Sequence, residues 1–153
     1  NKLSIDELNI SFSNYKKRIF KKNSLSFLKV IRLIPFISAF KKIILKIENF
    51  EKCVEVDIFA EKICLVDLNY DIKLSAESFN YILNNSFGFD TLTVNGCFEQ
   101  GEKNGFEKVT KLMAIENLNN LGIYFKPSII FNFRIILIFL KLLNKVKNNL
   151  INS

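Results

Sequence analysis

The stretch CVEVDIF, residues 53–59, alternates apolar and acidic side chains with a period of two. This is the pattern of a β-strand with one face buried and the other in water. After the short polar turn AEK, the alternation resumes from Ile63 to Leu74. Two alternating stretches joined by a short turn predict a β-hairpin at the centre of the chain.

A helix is predicted directly after the hairpin, in the stretch SAESFNYILNN. Ser75 is a typical N-cap residue, and Glu77 falls in the first turn, where the helix dipole favours an anion. Phe79, Ile82 and Leu83 have the i, i+3, i+4 spacing of one apolar face.

The stretch TLTVNGCFE, residues 91–99, is predicted to be a strand. Leu92, Val94 and Phe98 fall on one parity with Gly96, and the more polar side chains fall on the other. Within a strand, Gly96 would mark a bulge or a close approach of another backbone.

A second helix follows, with an apolar stripe and an end at the NNLG stretch, residues 119–122. The stripe consists of Phe106, Val109, Leu112 and Met113. These elements predict an α+β fold: a small antiparallel sheet with a β-hairpin packed by helices, flanked at both ends by basic amphipathic helices.

Charge divides the chain into three parts, which we predict to be one folded unit. Residues 8–47 contain ten Lys or Arg and no acid, residues 48–125 contain six Lys and thirteen acids, and residues 126–153 contain five Lys or Arg and no acid. We therefore divide the chain into a basic amphipathic helical arm (1–47), an acidic α+β core (48–125) and a basic, apolar C-terminal helix (126–153).

The N-terminal arm mixes cations with Ile, Leu and Phe at near-helical spacing, and Pro35 is predicted to divide it into two helices. Four explanations of such an arm differ in its partner. It packs on the acidic core, lies on an anionic membrane surface, binds a partner protein or binds nucleic acid. The last is least favoured, because no nucleic-acid-reading motif accompanies the cations.

The C-terminal arm is predicted to form one helix that begins after Pro127. Its apolar run from Ile129 to Leu143 includes Asn132, Arg134 and Lys141. A bilayer requires roughly 20 consecutive apolar residues, so this run is too short and too polar to span one. Packing against the core or a neighbouring domain, or lying flat on a membrane, are the alternatives.

The chain contains no histidine, which excludes Ser-His and Cys-His catalysis and histidine metal sites. We assign no catalytic residue, no metal ligand and no cofactor, and the residues of any cofactor site are unknown. The DLNYD stretch, residues 67–71, resembles the start of a calcium loop, but Ile72 and Ser78 replace its required Gly and Glu. Its carboxylates are interpreted as the polar face of a strand.

The three cysteines, Cys53, Cys64 and Cys97, lack CxxC spacing and are interpreted as small packed residues in a reducing compartment. The chain starts at Asn1 and lacks a signal-peptide pattern, which indicates a processed chain or a fragment. A cytoplasmic location, or a peripheral one on the inner face of the membrane, is expected. Four residues are nominated as core, and as pocket lining in second place: Phe79, Leu83, Leu92 and Val94.

Two phrases, LSAESFNYIL (residues 74–83) and FGFDTLTVNGCF (residues 87–98), carry a resemblance to known proteins. They resemble the segment that follows the catalytic domain in bacterial metallo-β-lactamase-fold hydrolases linked to cell-surface polysaccharide. The predicted order of elements is also similar to the sterol-carrier-protein-like α+β fold, in which a curved sheet and helices enclose an apolar groove. The HxHxDH metal motif of the hydrolases is absent.

The resemblance implies a noncatalytic accessory module that packs on a hydrolase domain or another partner protein. The alternative is a sterol-carrier-like protein that binds a lipid or hydrophobic ligand at the membrane surface; the 16 phenylalanines favour it. A membrane-surface protein whose basic arms bind anionic lipid is the third hypothesis.

Overall fold

A computed structural model describes residues 3–35 and 37–131, which form five α-helices, five strands and one 3₁₀ helix. The predicted α+β fold with a small sheet is confirmed. In chain order the elements are α1 (Ile5–Lys22), α2 (Leu25–Arg32), β1 (Ile43–Ile47), β2 (Cys53–Val56), β3 (Cys64–Val66), β4 (Ile72–Leu74), α3 (Ala76–Asn84), α4 (Gly88–Val94), β5 (Glu99–Gln100), α5 (Gly105–Asn120) and the 3₁₀ helix (Pro127–Phe131).

The five strands form one sheet in the order β3-β2-β1-β4-β5. Strands β2 and β3 are the predicted hairpin, with Val54 opposite Leu65. Three of the four pairings are antiparallel, as predicted, whereas β1 and β4 are parallel, with Leu45 opposite Ile72. The sheet is therefore mixed.

The central strand β1 lies inside the stretch that we predicted to be a helical arm, and this part of the prediction is wrong. In β1 every residue except Lys46 is buried. A short apolar run of this kind fits a strand covered on both faces as well as it fits a helix, so periodicity does not separate the two. The basic helical arm thus ends at Arg32, and the chain then enters the sheet.

The second limb of the predicted hairpin is shorter than expected. It stops at Val66, and the polar residues 67–71 form a loop that carries the chain across to the other side of β1. Asp71 at the end of this loop is buried and accepts a hydrogen bond from the backbone N–H of Ile44, at 2.7 Å. The interpretation of residues 67–71 as the polar face of a strand is therefore wrong.

The predicted strand at residues 91–99 is also wrong, because residues 88–94 form the helix α4. The hydroxyls of Thr91 and Thr93 donate to the carbonyls four residues earlier, which satisfies both side chains within the helix. Gly96 follows with a φ of +65°. The N–H group of Gly96 donates to the carbonyl of Thr93, and that of Cys97 donates to the carbonyl of Leu92. This pair of hydrogen bonds is typical of a helix that ends at a glycine. The predicted order of elements that is similar to the sterol-carrier-like fold includes a strand at residues 91–99. The structure has a helix at this place in the order.

Helices α3 and α5 are confirmed. Ser75 caps α3 by accepting from the N–H of Ser78, and Phe79, Ile82 and Leu83 are buried. Helix α5 buries the predicted Val109, Leu112 and Met113, while Phe106 is half-buried. It ends within the predicted range 119–122.

The N-terminal arm forms two helices, but they separate at Asn23 and Ser24, not at Pro35. Asn23 donates from its side chain to the carbonyl of Ile19, and Ser24 caps α2 by accepting from the N–H of Phe27. This polar pair ends one helix and starts the next. Helix α2 ends three residues before Pro35, as the restriction on residues preceding proline favours.

One hydrophobic core joins the arm, the sheet and the later helices. Helix α1 is an integral layer, since its four core side chains are at most 1% exposed: Leu8, Phe12, Tyr15 and Ile19. For α1, packing on the core is therefore observed. The predicted C-terminal helix begins as the 3₁₀ helix, and its remainder, residues 132–153, lies outside the described residues.

Candidate functional site

The calcium-like stretch is a structural feature of the sheet. Asp71 accepts hydrogen bonds from the Nζ of Lys108 at both carboxylate oxygens, at 3.0 and 2.9 Å, in addition to the bond from Ile44. Asp67 is exposed and pairs with Lys52. Within the described ranges, no group of three His, Cys, Asp or Glu side chains is arranged to hold a metal ion.

The cysteines do not form one class. Cys53 is buried, as predicted, whereas Cys64 and Cys97 are exposed, so their interpretation as packed residues is wrong. Of the four nominated core residues, Phe79 and Leu83 are fully buried and Leu92 packs partly buried against the core. Val94 is 87% exposed, because the helix α4 turns it away from the core.

Two open surface depressions lie beside the sheet. One of about 410 Å³ is lined mostly by the polar and charged ends of the hairpin, including Lys52 and Asp67. Another, of about 320 Å³, lies between the start of α3 and the residues after α4 and includes Lys73 and Glu99. A hydrogen bond to Glu99 raises the pKa of Lys73. Neither depression is an enclosed apolar pocket of the kind that small hydrophobic ligands fill.

Half of the cations in residues 8–47 are bound to the acidic core. Arg18 pairs with Glu116, Arg32 with Asp57 and Lys42 with Glu55, at 2.9, 2.9 and 2.8 Å. Lys16 and Lys46 donate to backbone carbonyls, Lys16 to those of Ala60 and Glu61. Partial burial lowers the pKa of Lys16. These contacts explain half of the basic arm by self-packing and leave the other five cations exposed: Lys17, Lys21, Lys22, Lys29 and Lys41.

Helices α1 and α5 run in the same direction. The Tyr15 hydroxyl donates to the Met113 sulfur at 3.6 Å, and Arg18 pairs with Glu116, so residues 98 positions apart lie side by side. Burial raises the pKa of Tyr15, which keeps its hydroxyl protonated as a donor. The last turns of α1 and α5 therefore lie toward the same end of the molecule.

Two hydrogen bonds bring the end of α3 and the start of α4 to that same end. Arg18 donates from Nη2 to the carbonyl of Leu83 at 2.7 Å. Asn120 donates from its side chain to the carbonyl of Ser86 at 3.0 Å. The chain after α5 also returns there, because Phe125 exchanges hydrogen bonds with Asn23 and Ser24. Three helix C-termini and the exit of the C-terminal segment thus share one end.

We call this end the basic pole and define it as residues 21–25, 85–87 and 120–126. Its sequence contains three cations, Lys21, Lys22 and Lys126, and no acid. All three lysines are exposed, and within the described part of the chain none forms a salt bridge. Lys21 and Lys22 lie in the last turn of α1, where their charges complement the negative end of the helix dipole.

The basic pole also exposes large apolar side chains. Phe87 is 57% exposed and Leu121 75%, and the Asn120–Ser86 hydrogen bond joins the two segments that carry them. Leu25 and Tyr124 are 42% and 40% exposed, and the Lys126 ammonium lies 5.8 Å from the Tyr124 ring centre. Lysines interspersed with exposed apolar and aromatic side chains are typical of surfaces that meet a lipid interface.

The opposite end of the two parallel helices has a different character. We call it the acidic pole and define it as residues 3–8 and 101–108. It contains the acids Asp6, Glu7, Glu102 and Glu107 against two lysines, one of which is bound to Asp71. The large apolar side chains of these two ranges are buried or half-buried: Leu3, Ile5, Leu8 and Phe106.

The sequence predicts the lysines of the basic pole but not its assembly. Lys21 and Lys22 belong to the predicted basic arm, whereas Leu121 falls in the predicted helix end at residues 119–122 and Phe87 lies just before the predicted strand. The only early signal for Leu121 is its place directly before Gly122, which has a φ of +78° and ends α5. Three segments far apart in the chain meet only through the tertiary fold.

None of the helices in the described ranges is long and apolar enough to cross a membrane. A scan of protein-family models and searches of curated proteins and solved structures found no match to this chain.

Proposed function

We propose that the protein is a noncatalytic module that binds the surface of anionic membranes through its basic pole and the C-terminal segment that leaves it. The proposal rests on one observation: the basic pole contains three exposed lysines and no acid, and it also exposes four large apolar side chains. Of the eight other cations in residues 8–47, five are bound to the acidic core, and Lys17, Lys29 and Lys41 are exposed.

The C-terminal segment supports the same assignment by its sequence. Residues 127–153 follow the pole directly and contain Arg134, Lys141, Lys145 and Lys147 with no acid, among many Ile, Leu and Phe. A lysine or arginine close to an anionic bilayer contributes roughly 1 kcal/mol to binding. The pole contains three cations and the sequence after it contains four more, a total of seven, which is enough for reversible peripheral binding.

The charge distribution also favours one orientation. With the basic pole against the lipid, α1 and α5 point their acidic first turns away from the anionic surface. The opposite orientation would bring Asp6, Glu7, Glu102 and Glu107 toward it. Attraction of the basic pole to the anionic surface and repulsion of the acidic pole from it therefore favour the same orientation of the protein.

The test is co-sedimentation of the full chain with vesicles. We expect binding to vesicles that contain roughly one-third phosphatidylserine, weakened several-fold between low and physiological salt as charges are screened, and little binding to neutral vesicles. Failure to bind anionic vesicles at low salt would refute the proposed function. Equal binding to neutral vesicles would remove the role of the lysines.

The hydrolase-accessory and lipid-carrier hypotheses stay predictions. A carrier would co-purify with a lipid that native mass spectrometry detects, and the two open, polar depressions lend it no support. An accessory module would bind a metallo-β-lactamase-fold domain in solution without vesicles. Neither outcome is expected if the basic pole is a membrane surface.

A further inference from the structure

We propose that Phe87 and Leu121 insert below the lipid headgroups and make membrane binding depend on gaps in lipid packing. This inference rests on the proposed function. It adds a mechanism that the lysines alone do not supply, because cations bind flat and curved anionic surfaces of equal charge alike, whereas apolar side chains need access to the acyl region.

The two side chains belong to one fixed surface. Phe87 is the residue before α4 and Leu121 the residue after α5, and the Asn120 side chain donates to Ser86, next to Phe87. The left-handed Gly122 and the bond from Ile123 to Leu118 close the end of α5 and hold Leu121 in place. The side chains therefore project from the ends of packed helices.

Their surroundings indicate lipid in preference to a protein groove. Charged side chains within the three ranges of the pole are all cations. On adjoining elements, Glu116 is ion-paired with Arg18, and the exposed Asp90 accepts a hydrogen bond from Asn117. Tyr124 beside Lys126 has the amphipathic character of residues at headgroup depth. The side chains of Phe87 and Leu121 have no polar atoms that could contact the headgroups. In the proposed orientation they therefore reach the boundary between the headgroups and the acyl chains.

A matched pair of double variants tests the insertion. Phe87→Ser with Leu121→Ser removes two apolar side chains from the pole. Leu65→Ser with Leu68→Ser removes two from the hairpin side, which are 47% and 52% exposed. We expect the pole variant to bind anionic vesicles on the order of tenfold more weakly. The hairpin variant should bind like the wild type, and circular dichroism checks that both are folded.

Vesicle size separates insertion from attraction of charge. Binding of the wild type should be several-fold stronger to vesicles of about 30 nm diameter than to vesicles of about 200 nm with the same lipids, because curvature opens packing gaps. The pole variant should lose this preference. If the wild type binds with no size preference and the pole variant binds equally well, the insertion is refuted while the proposed function stands.

Fluorescence gives a second readout, because the chain contains no tryptophan. In the variants Phe87→Trp and Leu121→Trp, anionic vesicles should shift emission to the blue, and brominated lipid should quench it. In Leu65→Trp the emission should stay unchanged. A blue-shifted Phe87→Trp spectrum before vesicles are added would show that protein covers the pole. A dimer in sedimentation experiments that dissociates in the double-serine variant would assign the pole to a second copy; either result overturns the proposal.

Discussion

The two ends of α5 are joined to the rest of the molecule by buried carboxylates that are used in opposite ways. At the acidic pole, the carboxylate is Asp71 from the loop before β4, and α5 supplies the cation Lys108. Next to the basic pole, α5 supplies the carboxylate Glu116, and α1 supplies the cation Arg18. In the first pair, Asp71 also accepts a hydrogen bond from the backbone N–H of Ile44 in the sheet. In the second pair, Arg18 also donates to the carbonyl of Leu83, so the pair connects three helices.

The comparison of the two poles separates features that stabilise the fold from features that have no structural role. Acids in the first turns of α1 and α5 and the two lysines in the last turn of α1 complement the helix dipoles, so part of the charge polarity has a structural explanation. Helix dipoles do not account for Phe87 and Leu121, which are exposed at one pole without a counterpart at the other. The exposed apolar side chains of the basic pole therefore need an explanation other than the helix dipoles.

The largest effect on stability is expected for Asp71→Ala. The variant leaves the buried N–H of Ile44 without its acceptor and separates α5 from the sheet. An unpaired buried donor and a lost charged bond together cost about 3 kcal/mol of unfolding free energy. Urea denaturation measures the loss. A cost below about 1 kcal/mol, the range of surface pairs, would show that this connection is not structural.

A smaller loss is expected for Glu116→Ala at the other end of α5. Arg18 stays about one-third exposed, so water stabilises it after the carboxylate is removed. We expect a cost of about 2 kcal/mol, with solvent screening included. Glu116→Gln, which keeps an acceptor for the Arg18 Nε, should recover part of it. A larger loss than for Asp71→Ala would reverse the comparison between the two poles.

The two glycine-terminated helices provide a third comparison. Gly96 and Gly122 have φ values of +65° and +78°, and no atom lies within 4 Å of an added Cβ at either position. The cost of alanine is therefore conformational, between about 1 and 2 kcal/mol at each site. Thermal unfolding should show similar losses, whereas only Gly122→Ala should also weaken vesicle binding, because it disturbs Leu121.

The smallest effect is expected at the acidic pole, for Ser4→Ala. Ser4 and Glu7 form a capping box at the start of α1, and loss of such a cap costs roughly 0.5–1 kcal/mol. Hydrogen bonds from the backbone N–H and from the hydroxyl of Ser4 lower the pKa of Glu7, and alanine removes the second of them. The contribution of Glu7 is thus present above its unfolded pKa and is lost as pH falls through the folded one. The wild-type advantage should shrink between about pH 5 and pH 3; a constant advantage would contradict this.

Sequence patterns predict the elements whose periodicity is long and whose caps are explicit. Helix α3 follows from Ser75 and three apolar positions, and the hairpin follows from strict alternation. The pattern fails at β1, where a continuous apolar run fits either structure, and at α4, where seven residues are too few to show a helical period. At α4 the decisive signal is Gly96, which ends a helix in the same way as the correctly predicted Gly122.

The basic pole was only partly predictable for a related reason. Lysine clusters are visible along the chain, but exposure of Phe87, Leu121 and Val94 depends on which side of each helix meets the core. The same holds for Asp71, whose polar neighbours indicate a solvated surface although the fold buries it. Periodicity describes one helix or strand at a time. The basic pole consists of three segments that are far apart in the chain, so periodicity does not predict it.

The most direct test of membrane binding through the basic pole compares two triple variants of equal charge. Lys21→Gln, Lys22→Gln and Lys126→Gln remove three cations from the pole, and Lys52→Gln, Lys62→Gln and Lys103→Gln remove three exposed cations elsewhere. In titrations with anionic vesicles, we expect the pole variant to bind about 100-fold more weakly, at roughly 1 kcal/mol per lysine, and the control to stay within about threefold of the wild type. Equal losses in both variants would mean that net charge alone governs binding, and would contradict a membrane-facing pole.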